Sequence, residues 1–469
     1  MKKALIGLLS IVLITGLVSV CCAEEAANKV TYGGDIRIRG QVTKNIYDLN
    51  NTKAGTAGKR VNAYDNEQFY RHRTRLWIKG ELEEGMTGYV RLAVEPRWGR
   101  PDYTYNDATV DAAKKPKPEW TNHLIIDNSY IEAKKFLGSP LNLKIGRQDL
   151  TYGEGFLVYE GTPVDGSRTI YFDAVKLSLD LSVIGVDLFT AKPDEGQYNI
   201  NDDEDLYGLY TTLKMVPGQA FDVYVLQRER RAYKLDQDFD ATTPDIDVDS
   251  STTAVGVRAS GKIIENLTYA AEVTKEFGSV DWKGFDPTGA REEGDMDRDA
   301  IGGLATLTYA IPVPTQPTIK LGAYYTSGDN ENTDDYEAWD GFYSEFPKYG
   351  YGDMLASLTK LDYDEGTWTN HRIYEADLKL TPISKMTANL GFLYLAANNV
   401  PDGVSKKRGI CPQARLEYQF TPAVTAHVLG QYFQTGNYYE DSGNHNVGPG
   451  NKVSTDDAFF GRFEMSIKF

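Results

Sequence analysis

Apolar and polar residues alternate with period two through most of this chain, in segments of about ten residues. The stretch 457–469 shows the pattern well. Phe459, Gly461, Phe463, Met465, Ile467 and Phe469 share one face, and Phe460, Arg462, Glu464, Ser466 and Lys468 share the other. Side chains alternate across a strand, so this stretch predicts a strand with one apolar and one mostly charged face. Comparable segments run over 32–42, 68–80, 87–97, 123–135, 141–148, 168–180, 183–192, 205–215, 219–228, 252–262, 266–276, 298–310, 316–327, 370–382, 385–396, 408–420 and 423–434. Helical periodicity of useful length is absent. Beyond the first two dozen residues no apolar run approaches the roughly 18 residues of a spanning helix.

The connectors between these segments fall into two classes that alternate strictly. Short ones include Glu83-Glu84-Gly85-Met86, Gly138-Ser139-Pro140, Val216-Pro217-Gly218, Ile311-Pro312-Val313-Pro314 and Thr421-Pro422. Long ones cover 43–67, 98–122, 149–167, 193–204, 229–251, 277–297, 328–369, 397–407 and 435–456. A sandwich with Greek-key connections has no reason to alternate loop lengths in this way. A membrane barrel does, with short turns at one rim and long loops at the other. Open sheet edges cannot face lipid, so the sheet must close. The predicted fold is all-β: a transmembrane antiparallel up-and-down β-barrel of about 18 strands over residues 24–469, with an Arg-rich lumen and no second domain. Loops 43–67, 98–122, 229–251 and 328–369 would be extracellular, and the turns at Pro217, Pro312 and Pro422 periplasmic. Loop 328–369 is long enough to fold inward as a plug.

The amino terminus agrees with this location. Lys2 and Lys3 precede an apolar run from Ala4 to Val20, followed by Cys21-Cys22-Ala23, which predicts a secretory signal peptide over 1–23. A lipid-modified Cys21 or Cys22 is disfavoured, because Val20 and Cys21 stand where a small Gly or Ala is usual. Cleavage near Ala23 leaves Cys411 alone, without an internal disulfide or a thiolate metal cluster. The 31 Tyr and 44 Gly fit a barrel with aromatic belts, and equally a Tyr-rich carbohydrate-binding β-protein. A net charge of −17 argues against nucleic acid as a partner. The long loops hold much of the negative charge, as solvated carboxylates or as oxygen ligands bridging divalent cations to lipopolysaccharide. No complete EF-hand loop is present, so no metal ligand is assigned, and no cofactor is implied.

The first strands carry a dense arginine ladder. Asp35, Arg37, Arg39 and Gln41 alternate with Ile36, Ile38 and Gly40; Arg71, Arg73, Arg75 and Lys79 alternate with Tyr70, His72, Thr74, Leu76 and Ile78. Tyr89, Arg91, Glu95 and Arg97 follow, and the last strand, closing on the first, adds Arg462 and Lys468. The apolar partners would face lipid, so this charged wall faces the lumen. A guanidinium binds carboxylate or phosphate with a fixed fork and stays charged. A row of them can pass an anion from site to site, as charged rings do in channels. The same arginines can instead pair with lumen carboxylates such as Asp35, Glu95, Glu132, Glu375, Asp377, Glu417 and Glu464, and brace the wall.

An amphipathic last strand ending on Phe469 resembles the final strand of bacterial outer-membrane barrels, which implies recognition by the barrel assembly machinery. The sequence Leu143-Lys-Ile-Gly-Arg-Gln148, then Tyr152-Gly-Glu-Gly155, then Arg168 to Leu177 with Phe172-Asp-Ala-Val-Lys-Leu177, resembles the core of the alginate export family of outer-membrane porins. Asn128-Ser-Tyr-Ile-Glu132 precedes it in the expected order. The resemblance implies a monomeric eighteen-stranded barrel, more than a trimer, set in outer-membrane lipid and lipopolysaccharide. Its constricted Arg-rich pore would pass an anionic solute or polysaccharide outward. It further implies Arg73, Arg75, Arg91, Lys144 and Arg147 as basic pore residues, with Glu132 as counter-charge. Other readings are a barrel that sheathes a periplasmic partner complex, and a general diffusion porin without anion selectivity. An enzyme is not expected: His72, His123, His371, His427 and His445 form no legible Ser–His or Asp–His arrangement.

Overall fold

The computed structural model describes residues 29–46, 49, 66–82, 85–98, 124–159, 172–194, 203–235, 246–285, 291–330, 332–344, 354, 368–441 and 455–469. Residues 1–23, expected to be a signal peptide, lie outside them, as do His123, Arg168, His445 and much of the long loops. Strands β1 (Lys29–Lys44), β2 (Asn66–Glu81), β3 (Met86–Val94), β4 (Ile125–Ala133), β5 (Leu141–Gln148) and β6 (Phe172–Asp180) come first. They are followed by β7 (Ile184–Asp194), β8 (Glu204–Leu213), β9 (Gln219–Leu235), β10 (Ile246–Ile264), β11 (Leu267–Phe285) and β12 (Arg291–Ala310). The last six are β13 (Thr318–Thr326), β14 (His371–Ile383), β15 (Met386–Ala396), β16 (Lys407–Thr421), β17 (Val424–Thr435) and β18 (Ala458–Lys468).

Each strand pairs antiparallel with its sequence neighbours, and β1 pairs with both β2 and β18, so eighteen strands form one closed ring. The seam is fully zipped. Its register runs from Asp35 opposite Lys468 to Lys44 opposite Phe459. It ends in reciprocal backbone bonds: Gly34 donates to Phe469 at 2.9 Å and Phe469 donates to Gly34 at 3.0 Å. Closure leaves no ladder edge in hydrocarbon, where each unmet backbone group costs several kcal/mol.

The outer face is apolar and the inner face polar, as the period-two pattern requires. Phe459, Phe463, Met465 and Ile467 are exposed on β18, while Phe460, Arg462 and Glu464 are buried inside. Exposed Tyr70, Tyr207, Tyr325 and Tyr432 stand toward the long-loop rim, and Tyr32, Tyr309, Phe420 and Phe469 toward the short-turn rim. From Phe459 to Phe469 the strand covers about 33 Å, which tilting reduces to about the 25 Å height of an outer-membrane apolar band.

All eighteen expected segments are strands, but β9, β10, β11 and β12 run well past the expected boundaries. The expected loops 229–251 and 277–297 are largely ladder, because β9 continues to Leu235, β10 starts at Ile246, β11 reaches Phe285 and β12 starts at Arg291. Above the membrane the outer face turns acidic at Asp249, Asp281 and Asp295, so the apolar alternation that marks a strand fades. The ladder persists because its inner face keeps an apolar contact: Val248 and Val280 are buried with Tyr336 and Ala338.

The lipid-facing assignment yields a stability prediction. Val428 is 49% exposed midway along β17. Val428→Arg should destabilise the barrel by about 2–4 kcal/mol, measured by reversible urea unfolding in lipid vesicles. A change below about 1 kcal/mol would place this position outside the hydrocarbon.

Candidate functional site: the lumen

The inner faces of β18, β1 and β2, with the segment after β3, assemble a continuous basic wall. Register places Arg37 directly opposite Arg73 and Arg39 directly opposite Arg71, and Arg71 also bridges to Arg97. Arg75 faces Asp35, and Arg462 stands opposite Gln41. Like charges set directly across a ladder are destabilising. Carboxylates offset part of the repulsion. Arg37 reaches Glu95 at 3.0 Å, Arg39 pairs with Glu464, Arg97 lies 3.4 Å from Glu67, and Asp35 takes Arg75 at 2.8 Å and Arg73 at 3.4 Å. Arg462 donates to His427 at 3.2 Å. Among the described residues Asp35 and Glu464 each serve two arginines. Two nitrogens of Arg73, Nε and Nη1, are buried without a hydrogen-bond partner among the described residues.

The remaining expected pore residues divide. Arg91 faces the lumen but is held by Asp127 at 2.5 Å and Asp149 at 3.5 Å. Glu132 stands in register with Lys144, whose ammonium lies 3.7 Å above the Tyr130 ring. Arg147 is a correction: it lies on the outer face. Lys144 and Arg147 are three residues apart, and a period of two sends them to opposite sides. Gln148 and its partner Phe172 are buried inside, whereas Arg147 shares the outer face with exposed Ile145 and makes a bidentate pair with Asp173, both contacts 2.8 Å. His427, which the sequence did not connect to the wall, is buried beside Arg462 and lies 3.9 Å from Glu464.

Two segments turn into the barrel. Residues 149–158, after β5, bury Leu150, Leu157 and Val158 among Phe189, Leu206, Tyr210 and Tyr224 of β7, β8 and β9. Residues 327–344, after β13, bury Trp339, Phe342 and Tyr343 in the same cluster. The expectation that loop 328–369 folds inward therefore holds for its described part. The segments join: Tyr343 donates to the Leu157 carbonyl at 2.8 Å, and Ser344 to the Gly155 carbonyl at 2.8 Å.

Ionic contacts fasten this joint plug to the wall. Arg258 of β10 donates to Glu154 at 2.6 Å and Asp222 at 2.7 Å. Arg228 of β9 donates to Asp340 at 2.6 Å and Glu204 at 2.8 Å. Tyr152 stacks on Tyr210, with ring centres 4.6 Å apart. Gly153 has φ +56, and a Cβ there would meet Arg258 at 2.9 Å, so the turn needs glycine. Gly302 leaves the notch into which Trp339 fits. The stretch Tyr152-Gly-Glu-Gly155 entered the sequence reading only through the family resemblance, and nothing in the sequence linked Glu154 to Arg258 or Asp340 to Arg228 across so many residues. In the ring, β10 is nine strands from β1 in either direction, so the plug is fastened opposite the basic wall.

The profile of the alginate export family matches residues 30–446 of this chain. The sequence matches no curated protein. Among solved structures, a BenF-like porin from Pseudomonas fluorescens Pf-5 is similar with a TM-score of 0.53 at 10% identity, over 94% of this chain and 98% of that one. OpdQ from Pseudomonas aeruginosa is similar with a TM-score of 0.53 at 10% identity, over 94% and 97%. OccAB1 from Acinetobacter baumannii gives 0.51 at 10% identity, over 93% and 96%. The likeness to these structures is one of fold.

The plug's fastening predicts a conductance change and a pH response. Burial alone would raise the Asp340 carboxyl, but Arg228, Arg298 and Arg230 outweigh it and push it down to about 2. A depressed carboxyl stabilises the contact above its ordinary range, and that stabilisation is lost only as pH falls toward 2. Wild-type single-channel conductance should therefore show no opening from this contact between pH 4 and 8. The double variant Asp340→Asn with Glu154→Gln should raise conductance at neutral pH. Unchanged conductance in that variant would show that the two segments do not obstruct the lumen.

Proposed function

The chain belongs to the alginate export family and forms a porin-type barrel of the bacterial outer membrane, and from that premise we propose that it conducts anionic solutes, anionic polysaccharide among them, between the arginine wall and the inward plug. The observation that carries this reading is the pair of Arg–Arg oppositions, Arg37 with Arg73 and Arg39 with Arg71. A brace would alternate signs across the ladder, as Asp35 and Arg75 do. Repeated like-charge pairs cost stability, and an anion moving along the wall would offset that cost. The arginine fork suits carboxylates, which it can hold through two parallel bonds. Export, rather than uptake, follows the family's description.

A sheath around a periplasmic partner needs a lumen wide enough to admit a protein chain. The joined segments 149–158 and 327–344 stand in that space, which favours the channel.

Selectivity is measurable as a reversal potential in planar bilayers under a KCl gradient. Wild-type protein should prefer chloride. Arg73→Ser with Arg462→Ser should cut the anion preference by roughly tenfold, since each charge near a passing ion contributes about 1 kcal/mol at 4 Å even in water. Folding should survive, because Asp35 keeps Arg75 and Glu464 keeps Arg39. A cation-preferring wild type, or a variant with full anion preference, would leave the arginines as bracing alone and favour a general diffusion porin.

A further inference from the structure

Trp77 of β2, Tyr89 of β3 and Tyr130 of β4 form a row of rings on the inner face of the barrel, toward the short-turn rim. Their inward position follows from their outward neighbours, as Leu76, Ile78, Val90 and Ile131 are all exposed. The rings are nearly parallel. Trp77 and Tyr89 have centres 6.1 Å apart at 25°, and Tyr89 and Tyr130, directly opposite in register, have centres 5.1 Å apart at 23°. Separations of this size mark offset rings, so each leaves part of a face uncovered by the next. At one end a Cβ on Gly33 would come within 2.7 Å of the Trp77 indole, so glycine there lets the ring lie on β1. Outward aromatic residues anchor a barrel at the bilayer interfaces, but an inward ring has no bilayer to meet. The inward rings of Tyr210, Tyr224, Trp339 and Phe342 are buried with the plug. Trp77, Tyr89 and Tyr130 belong to no buried cluster among the described residues and stay partly exposed.

We propose that this aromatic row is a binding site for uncharged sugar rings, separate from the arginine wall. The charges beside it are matched. Arg75 has Asp35 at 2.8 Å, Lys79 has Glu81 at 2.5 Å, Arg91 has Asp127 at 2.5 Å, and Lys144, whose ammonium stands over Tyr130, is in register with Glu132. With each cation set against a carboxylate, the row has no surplus charge to favour an anion. What it does offer is ring face and hydroxyl. A pyranose of glucose type carries C–H groups on its two faces and hydroxyls round its edge. The aromatic face is the negative part of the ring quadrupole and attracts such C–H groups, and covering it removes apolar surface from the lumen water. The Tyr89 and Tyr130 hydroxyls can donate to and accept from the sugar edge. Because the rings follow one another across three strands, a linear oligosaccharide can rest successive units on successive rings. The inference is independent of the anionic-solute reading, since it concerns a ligand without charge.

Single-channel block by cellotetraose, a linear uncharged oligosaccharide of glucose, tests this. The wild-type current should show reversible block, with the same affinity in about 0.1 M and about 1 M KCl, because screening does not act on a ligand without charge. Trp77→Ala with Tyr130→Ala should weaken the block by roughly tenfold, as two ring contacts are lost. Trp77→Phe with Tyr130→Phe should retain it. Arg73→Ser with Arg462→Ser should leave it unchanged, which separates the row from the arginine wall. A heat-modifiable gel shift verifies that each variant is a folded barrel. Absence of block in the wild type, or a block indifferent to the Ala changes in a folded barrel, would overturn the site. Block by benzyl alcohol but not by cellotetraose would make the row a site for aromatic solutes and overturn the sugar assignment.

Discussion

The structure depends first on the seam between β1 and β18. In hydrocarbon no water is present to satisfy an edge strand, so the sheet exists in the membrane only as a ring. Everything else is set by that closure. Once the ring is shut, successive residues point alternately to lipid and to lumen without exception, and the sequence can place an arginine beside an isoleucine on every step of β1. The same closure completes the arginine wall, because it brings Arg462 and Glu464 from the far end of the chain against Arg39 and Gln41. A wall built from both termini of the barrel cannot form until assembly is complete.

The fold was legible because its signal is local. Period-two alternation and the long–short rhythm of connectors each depend on residues within one segment, and all eighteen segments emerged from them. Boundaries failed where the physical cause of the pattern changed. Above the membrane Asp249, Asp281 and Asp295 need no apolar companions on the outer face, so the ladder continued where alternation had faded. The site was legible by the same rule, and it misled by neglect of that rule. Arg37, Arg39, Arg71, Arg73, Arg75 and Arg462 share parity with one another and lie together. Arg147 came from resemblance to a motif, and its distance of three from Lys144 already excluded a common face. The plug was beyond reach for a different reason. Glu154 with Arg258, and Asp340 with Arg228, are joined only by the path of the chain through the lumen, and no spacing encodes that path.

A chain of net charge −17 with a basic lumen is a matter of distance. Exposed charges farther apart than about 8 Å at physiological salt are largely screened. The aspartates of β10, β11 and β12 lie on the outer face above the aromatic belt, with the sheet and the loop rim between them and the arginine wall. Their sum therefore governs solubility and the approach to the exterior rim, not the interior. Inside, the wall sets guanidinium groups against one another and against Glu95, Glu464 and Asp35, and low-dielectric walls strengthen each interaction. Parity and register, unlike total charge, say which charges share a face and how many strands separate them. The Arg–Arg oppositions on β1 and β2 and the Lys–Lys opposition on β5 and β6 each set like charges directly across a ladder. Repulsion held across the ladder lowers the net strength with which the wall grips itself, and it is this repulsion that the anionic solute proposed above would relieve.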